Sequence, residues 1–433
     1  MGNGRSWRRP GFICRSWAGE SVLPGLRASL KRYVGAYRGL PRDVLLLAFS
    51  IAIPSMAWSF IDILWAPYLA LIGLDEPTIG GLMMVGMMVM AVLTIPSGLL
   101  ADIVGKKKVA LVSSGLNVLY SLFYYLTTDL RLLYVAELLG GLAGALGWAP
   151  TSALLADKAG EKRDYAFSLF SFITSTSSFV GTLLGGLPDL MVVFMGLSLP
   201  EATRLMFLFA SLLSAIGSVL LLLVEEQRRP SERPMKPFSN VKSWGIIARY
   251  GLTSALIGLG AGLVIPWFSY FFWKRFQAPY STISALFAIT SLITGVGFTL
   301  APKLSSALGP VRAVVLTQGI SIAVLVALGM CYWLPLACML YVVRNLLMNM
   351  CNPIASALLL GLVNEEERAS ANSIWITCWN VPNAVSRQLA GYLIKHYSFE
   401  APFFLCAILY ASSTLLFYVF FKRFGAKKPK PTT

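Results

Sequence analysis

The chain has 433 residues, of which 56% are hydrophobic and only 13% are charged, about half of the ~25% that is typical of soluble domains. This composition excludes a soluble globular protein, because a soluble chain of this length would be unable to hide so much apolar surface from water. The net charge of +16 comes from short basic clusters between long apolar runs, a distribution that is typical of membrane-protein loops and not of a nucleic-acid interface.

Hydropathy along the chain predicts an all-α membrane protein with twelve transmembrane helices. A basic N-terminal segment, residues 1–43, precedes the first helix, and a basic tail, residues 422–433, follows the last. A polar, proline-containing linker, residues 225–243, separates the sixth helix from the seventh. The predicted helices, spans 1 to 12 in chain order, are 44–72, 78–104, 108–127, 130–155, 163–190, 200–224, 244–273, 281–303, 310–330, 333–361, 370–395 and 399–421.

Basic residues are distributed unequally between the two sides of the predicted membrane protein. An even number of spans places both termini on one side, and the segments on that side contain 28 of the 36 lysines and arginines. The loops on the opposite side contain only five. The positive-inside rule therefore predicts that both termini are cytoplasmic in a multi-pass protein of the cell membrane.

The two halves of the chain, 44–224 and 244–421, contain similar motifs at a nearly constant offset. For example, residues 134–137 (YVAE) match residues 341–344 (YVVR). Because each half has six spans, the repeat is parallel, and we expect two pseudo-symmetric six-helix halves that are related by an axis along the membrane normal.

A glycine- and lysine-rich motif, GLLADIVGKKK, connects spans 2 and 3. It resembles the cytoplasmic signature G-x-x-x-D-(R/K)-x-G-(R/K)-(R/K) of the major facilitator superfamily, with Ile103 at a position where a basic residue is usual. The resemblance implies alternating access to a central cavity and a cytoplasmic lock of the outward-facing state. The residues of this gating motif are Gly98, Asp102, Gly105, Lys106 and Lys107.

Two further motifs bear on the direction and coupling of transport. In span 5, Gly181-Thr-Leu-Leu-Gly-Gly resembles the G-P-x-x-G-G pattern of the drug/proton antiporters, which favours export, although glycines there also allow helices to pack closely. In span 4, Glu137 occupies the place of the arginine in the R-x-x-x-G pattern of many family members. This replacement argues against an arginine-based proton relay at that position.

Four ionisable residues are clear cases of a charge well inside a predicted span, where a charge is costly and is therefore a functional candidate. Asp62 and Glu137 are the candidates for proton coupling, and Arg344 and Arg387 are candidates for the substrate cavity. Their depths differ by only about 6 Å at the helical rise of ~1.5 Å per residue, so they share one layer in the outer half of the membrane. A static ion pair that holds helices together is the alternative to a transport role.

Polar and aromatic side chains flank these charges on shared helix faces. The asparagine row of span 10 is informative, because three amides on one face need partners or water. Aromatic walls suit amphiphilic or aromatic ligands, although tryptophan also marks membrane interfaces. The remaining candidates for the substrate cavity are Ser55, Trp58, Ser59, Tyr341, Asn345, Asn349, Asn352, Trp379 and Asn383.

Taken together, these features predict a secondary transporter, not an enzyme, which exports small amphiphilic or aromatic organic molecules by proton-coupled antiport. A uniporter or symporter of a polar or anionic metabolite is the first alternative, and a non-transporting membrane sensor or lipid-handling scaffold is the second. The sequence contains no P-loop and only one histidine, so we expect no cofactor and no histidine-based metal site. We expect a monomer in the lipid bilayer, with a small-molecule substrate and protons as its partners.

Overall fold

A computed structural model of the chain describes residues 40–226, 243–364 and 367–422. Nearly all of the predicted N-terminal segment and tail, and most of the predicted linker, lie outside these residues.

Twelve long helical segments form the described structure, which confirms the predicted fold class. Eleven of them are long and apolar enough to cross a membrane. The exception is span 11, which is less apolar than the others because it carries polar residues such as Asn380, Asn383 and Arg387. In chain order the spans are Arg42–Leu71, Glu76–Val104, Lys106–Leu126, Leu130–Ala159, Arg163–Met195, Leu199–Leu222, Trp244–Phe276, Tyr280–Leu308, Pro310–Gly329, Leu334–Leu362, Arg368–His396 and Glu400–Phe421.

Three spans are interrupted at positions that the sequence analysis treats as continuous helix. Span 5 breaks just before Pro188, span 7 passes through the 3-10 turn Ile265–Trp267, and span 10 breaks just before Pro353. Each break lies beside a proline, which lacks the N–H that would bond to the preceding turn and whose ring crowds that turn. These breaks let the last part of each span change direction.

Two single-residue connections occupy equivalent positions in the two halves. Gly105 joins span 2 to span 3 with φ of 114°, and Gly309 joins span 8 to span 9 with φ of 82°. Glycine adopts such positive φ values without the steric penalty of a Cβ atom. The shared connection supports the internal repeat that the sequence predicts.

The first half (spans 1–6, the N-half) contacts the second half (spans 7–12, the C-half) mainly through two pairs of helices. Span 2 packs against span 11, and span 5 packs against span 8. Glycine makes this approach possible, because a Cβ on Gly80 would lie 2.7 Å from the carbonyl oxygen of Arg387 and a Cβ on Gly186 would lie 2.9 Å from the Cα of Ser281. Both contacts lie near the same end of the bundle.

Candidate functional site

The helix ends define two faces of the bundle, a terminal face where span 1 begins and span 12 ends, and an opposite, distal face. Contacts between the halves join the distal ends of their spans. Lys395 donates a hydrogen bond to Asp75 over 2.7 Å, and the hydroxyl of Tyr270 donates to Glu76 over 2.7 Å. The backbone N–H of Ser281 donates to a carboxylate oxygen of Asp189. These contacts close the distal face in this structure.

A cavity of about 460 Å³ lies in the N-half and is called here the N-half cavity. Its deep end contains Asp62 and Glu137 together with Arg387 from the C-half. The cavity extends toward the terminal face, where Ser50 and Leu221 line it. Its contents are therefore accessible from the terminal side while the distal side is closed.

Asp62 is exposed although it lies well inside span 1. Because it lines the N-half cavity, its exposed surface faces that cavity and not the surrounding lipid. Within the described part of the chain, its carboxylate has no hydrogen bond and no ion pair within 4 Å. The charge of Arg387 nevertheless interacts with it electrostatically. A carboxylate in this position is accessible from the cavity.

Glu137 occupies a more enclosed position than Asp62, with only 7% of its surface exposed. The hydroxyl of Tyr124 in span 3 donates a hydrogen bond to its carboxylate over 2.7 Å. The other carboxylate oxygen lies against Gly86 of span 2, where a Cβ atom would overlap with it. The two predicted proton-coupling acids thus have different surroundings, one open to the cavity and one held by a neighbouring tyrosine.

Arg387 brings a positive charge from the C-half into the N-half cavity. Its Nε donates a hydrogen bond to Asn383 over 3.0 Å, and the amide of Asn383 donates in turn to the backbone oxygen of Gly258 over 3.2 Å. Its charge interacts with those of Asp62 and Glu137. The structure therefore places three of the four predicted charges around one cavity, and Asn383 orients the basic one.

Aromatic rings form much of the wall near these charges. Trp58 stacks on Tyr120 with ring centroids 5.4 Å apart, and Tyr120 meets Tyr124 edge-on at 5.2 Å. Trp65 packs against Tyr124 at 6.1 Å, and its buried Nε1 has no hydrogen-bond partner among the described residues. The two tyrosines of span 3 are not among the candidates predicted from the sequence. Their spacing of four residues on one helical face was the available signal.

A second cavity, of about 380 Å³, lies among spans 7 and 9 to 12 and is called here the C-half cavity. Of the predicted substrate residues, Arg344, Asn349, Asn352 and Trp379 line it. It also has lining residues that the sequence analysis did not select. They include Tyr250, Gln318, Trp375, Asn380 and Tyr410.

The asparagine row of span 10 forms hydrogen bonds within itself. Asn349 donates to the side chain of Asn345 over 2.8 Å, and Asn352 donates to the side chain of Asn349 over 3.2 Å. The amides therefore obtain part of their hydrogen bonding from one another, which the sequence analysis did not anticipate. Their need for an outside partner is correspondingly smaller.

The remaining predicted cavity residues have varied positions. Ser55 and Trp58 line the N-half cavity. The hydroxyl of Ser59 donates to the backbone of Ser55 over 2.9 Å, a bond within span 1. Tyr341 is 5% exposed and packs against aromatic rings, including that of Phe268 at 4.8 Å. The structure thus brings Ser55 and Trp58 to a cavity, whereas Ser59 and Tyr341 make internal contacts.

Comparison with known families identifies the fold. The family model described as Major Facilitator Superfamily matches residues 47–343 and 250–433. The chain belongs to the major facilitator superfamily. It is accordingly a multi-pass membrane transporter of this superfamily. No curated protein sequence matches the chain.

Solved structures of other superfamily-type transporters have the same fold. A nucleoside transporter, NupG, superposes with a TM-score of 0.72 at 13% identity, covering 89% of this chain and 100% of NupG. A bacterial homolog of the human lysosomal transporter Spinster, inward-facing and occupied, gives 0.69 at 13% identity, covering 90% and 98%. A D-xylose-proton symporter gives 0.69 at 13% identity, covering 87% and 97%. At these identities the likeness establishes the fold alone.

The superfamily motif between spans 2 and 3 lies at the terminal face. Lys106 forms an ion pair with Asp157 of span 4 at 2.6 Å, and the amine of Lys107 donates to the backbone of Leu222 in span 6 over 2.8 Å. Both contacts stay within the N-half. Asp102 is exposed, and a Cβ on Gly98 would meet no atom within 4 Å. The lock between the halves that the resemblance implies therefore stays a prediction for the outward-facing state.

Proposed function

We propose that this transporter exports small amphiphilic or aromatic organic molecules by alternating access, in exchange for protons. The observation that carries the proposal is the exposed, unpaired carboxylate of Asp62 at the deep end of the N-half cavity. This cavity extends toward the terminal face, while hydrogen bonds between the halves close the distal face. Proton loading from one side requires an acid that is accessible from that side while the other side is closed.

The positive-inside rule supports a cytoplasmic terminal face in the cell membrane, because that side carries most of the basic residues. With this orientation the structure corresponds to an inward-open state. A substrate for export would enter the bundle from the cytoplasm. The distal contacts would then have to open to release it outside.

The walls of the N-half cavity favour the passage of a substrate with an apolar or aromatic body. Trp58, Trp65, Tyr120 and Trp148 line it together with methionines of span 2. Aromatic and thioether side chains provide large, adaptable apolar contacts. A volume of about 460 Å³ also lies within the ~300–1,000 Å³ range of small-molecule sites.

Coupling follows from the fact that Asp62 and Arg387 belong to different halves. When the halves rock, the distance between the two charges changes, and so does the electrostatic interaction between them. The affinity of the carboxylate for a proton therefore depends on the conformational state. Glu137 is the competing candidate, but its hydrogen bond to Tyr124 and its burial limit its exchange with water.

A uniporter or symporter of a polar or anionic metabolite is the second candidate, and the C-half cavity favours it. That cavity is lined by Arg344 and several amides. Similar folds include a nucleoside transporter and a D-xylose-proton symporter, which are compatible with a polar substrate. A rigid scaffold is less favoured, because two sizeable cavities reach the membrane interior of this bundle.

Transport by Asp62→Asn in proteoliposomes tests the proposal. The assay follows efflux of labelled neutral, cationic and anionic aromatic probes with and without an imposed pH gradient. We expect the variant to retain substrate exchange at equilibrium and to lose the acceleration by the gradient. Asp164→Asn is the matched control, because Asp164 is an exposed acid at the start of span 5. If Asp62→Asn responds to the gradient as fully as the control does, Asp62 is not the coupling group.

A further inference from the structure

The C-half cavity contains a buried arginine whose charge has no acidic partner. Arg344 is 1% exposed, and its guanidinium presents five N–H donors and no acceptor. Within the described residues it forms no ion pair. Its Nη2 donates one hydrogen bond, over 3.3 Å to the hydroxyl of Tyr410, and its Nε has no hydrogen-bond partner. Most of its five N–H donors therefore have no protein acceptor.

Aromatic rings compensate for this charge only in part. The guanidinium carbon lies 5.4 Å from the ring centroid of Phe268 and 5.9 Å from that of Tyr410. Cation–π attraction at such distances is weaker than the cost of removing a cation from water without a counter-ion. A charge that is retained inside a span under this cost marks a binding position.

The residues around Arg344 indicate the chemistry of a ligand that would supply the acceptors its guanidinium lacks. The indole rings of Trp375 and Trp379 line the same cavity, as do the amides of Asn349 and Asn380. Arg344 is the only charged residue among the lining residues that the structure describes. One guanidinium binds one carboxylate through two parallel hydrogen bonds and neutralises its charge, whereas a doubly charged phosphate would keep one uncompensated negative charge in this cavity.

The internal repeat gives this arrangement a counterpart of opposite charge. Residues 341–344 match residues 134–137, so Arg344 occupies the position in the C-half that Glu137 occupies in the N-half. Each is held by a tyrosine hydroxyl, of Tyr410 and of Tyr124 respectively. The same place in the fold thus presents an acid in one half and a base in the other.

We propose that the C-half cavity binds the carboxylate head of an aromatic organic acid through Arg344, with the indole rings around its apolar body. The inference rests on the proposed transport function and names its substrate class, an amphiphilic organic anion. The N-half acids handle the proton, and the C-half base handles the anion. A proton and an anion then occupy different cavities and respond to the same rocking of the halves.

Equilibrium binding to the purified full chain tests the site without any gradient. The probes are naphthalene carboxylate and its uncharged isostere naphthalene carboxamide, and the readouts are tryptophan fluorescence and thermal shift. We expect wild-type protein to bind the carboxylate at least about tenfold more tightly than the amide, as expected for a charge-assisted bidentate contact. Equal affinities for the two probes would overturn the proposal.

Variants assign the discrimination to Arg344. Arg344→Gln should lower the carboxylate affinity to that of the amide and leave amide binding unchanged. Arg249→Gln is the matched control, because Arg249 is an exposed arginine of the same half. Arg344→Lys, which keeps the positive charge but removes the planar fork of donors, should lose most of the preference for the carboxylate and serves if Arg344→Gln fails to fold. Loss of the preference in Arg387→Gln but not in Arg344→Gln would move the anion to the N-half cavity and overturn the assignment.

The transport assay separates this inference from the proposed function. Carboxylate-selective binding in a protein that moves none of the probes would contradict the transport proposal and leave the anion site intact. Gradient-driven transport by a protein that binds the carboxylate and the carboxamide equally would overturn the anion site and leave the transport proposal intact.

Discussion

Lys395 at the end of span 11 donates a hydrogen bond over 2.7 Å to Asp75 between spans 1 and 2, and this contact joins the two halves at the distal face. The same carboxylate accepts a hydrogen bond over 3.1 Å from the backbone of Thr78 and caps span 2. The hydrogen bond from Lys395, followed by that from Thr78, lowers the pKa of Asp75 to about 2. Asp75 thus serves both as a helix cap and as part of a gate.

The first prediction concerns Asp75→Asn, which separates these two roles. Asparagine caps a helix as well as aspartate does, so span 2 should remain intact while the ion pair is lost. We expect more of the population to open at the distal face. The measurement is labelling by a membrane-impermeant thiol reagent from the distal side, at a cysteine replacing Ser284, which is 1% exposed between the halves in this structure.

Asp129→Asn is the matched control for this gate. Asp129 also caps a helix on the distal side, through a hydrogen bond over 2.8 Å from the backbone of Arg131, and that contact lies within the N-half. Its substitution should leave labelling unchanged. Equal labelling of the two variants would show that the ion pair does not hold the gate.

The second prediction is the pH range of this gate. The pKa of Asp75 is lowered from the ordinary value of about 3.9, so its contribution to closure is fully present above about pH 4 and is lost as the pH falls toward 2. Labelling of the Ser284→Cys chain, relative to labelling of the unfolded chain at the same pH, should therefore be constant between about pH 5 and pH 8, because the reactive thiolate fraction itself rises with pH. Any change within that range would assign pH sensing at the distal face to another group.

The third prediction concerns the close packing of spans 1 and 5. A Cβ on Gly181 would overlap with the backbone oxygen of Met56 and lie 2.7 Å from its Cα. Backbone atoms yield less than side chains do, so Gly181→Ala should lower the free energy of unfolding by about 1–3 kcal/mol. Gly115→Ala is the control, because a Cβ there meets nothing within 4 Å and alanine favours the helix by up to ~1 kcal/mol. Thermal unfolding in detergent measures both, and equal melting temperatures would contradict the packing argument.

The sequence predicted the fold well because hydropathy and basic-residue placement report directly on membrane spans. It placed Gly105 in the motif that connects spans 2 and 3, where the structure has a single-residue connection. It did not predict the helix breaks near Pro188 and Pro353, because proline is often tolerated in membrane helices and the neighbouring spans decide the outcome.

The candidate site was predictable only in part. Hydropathy identified Arg344 and Arg387 as equivalent buried charges, yet the structure places them in different cavities. A helical pattern shows which residues share a face but not which neighbouring helix that face meets. For the same reason the hydrogen bond from Tyr124 to Glu137 was not predictable. It joins spans 3 and 4, and the residue pattern of one helix does not show which residue of the other helix it meets.

The fourth prediction concerns the superfamily motif at the terminal face. Asp102 is exposed in this structure, so Asp102→Asn should not disturb the state with the distal face closed. If the motif locks the outward-facing state, the substitution should reverse the extra labelling of Ser284→Cys that Asp75→Asn produces. Lys108→Gln, an exposed change within the same motif, is the control. If the double variant is labelled as much as Asp75→Asn alone, the motif acts only as a signal for membrane topology.

The last prediction concerns the hydrogen bond over 2.7 Å from Tyr124 to Glu137. Tyr124→Phe leaves a buried carboxylate oxygen without its donor, which should lower the free energy of unfolding by about 1–3 kcal/mol. Tyr68→Phe is the control, because Tyr68 is also buried and its hydroxyl makes only a long bond of 3.4 Å to the backbone of Tyr124. We expect a smaller loss there.

A double-mutant cycle with Glu137→Gln isolates the pair. Once Glu137 is replaced by neutral glutamine, loss of the tyrosine hydroxyl removes a weaker hydrogen bond, so the two substitutions together should cost less than the sum of their separate effects by about 0.5–3 kcal/mol. Additive effects within about 0.5 kcal/mol would show that the hydroxyl does not stabilise the carboxylate. In that case burial, and not the hydrogen bond, is what distinguishes Glu137 from Asp62 as a group that exchanges protons.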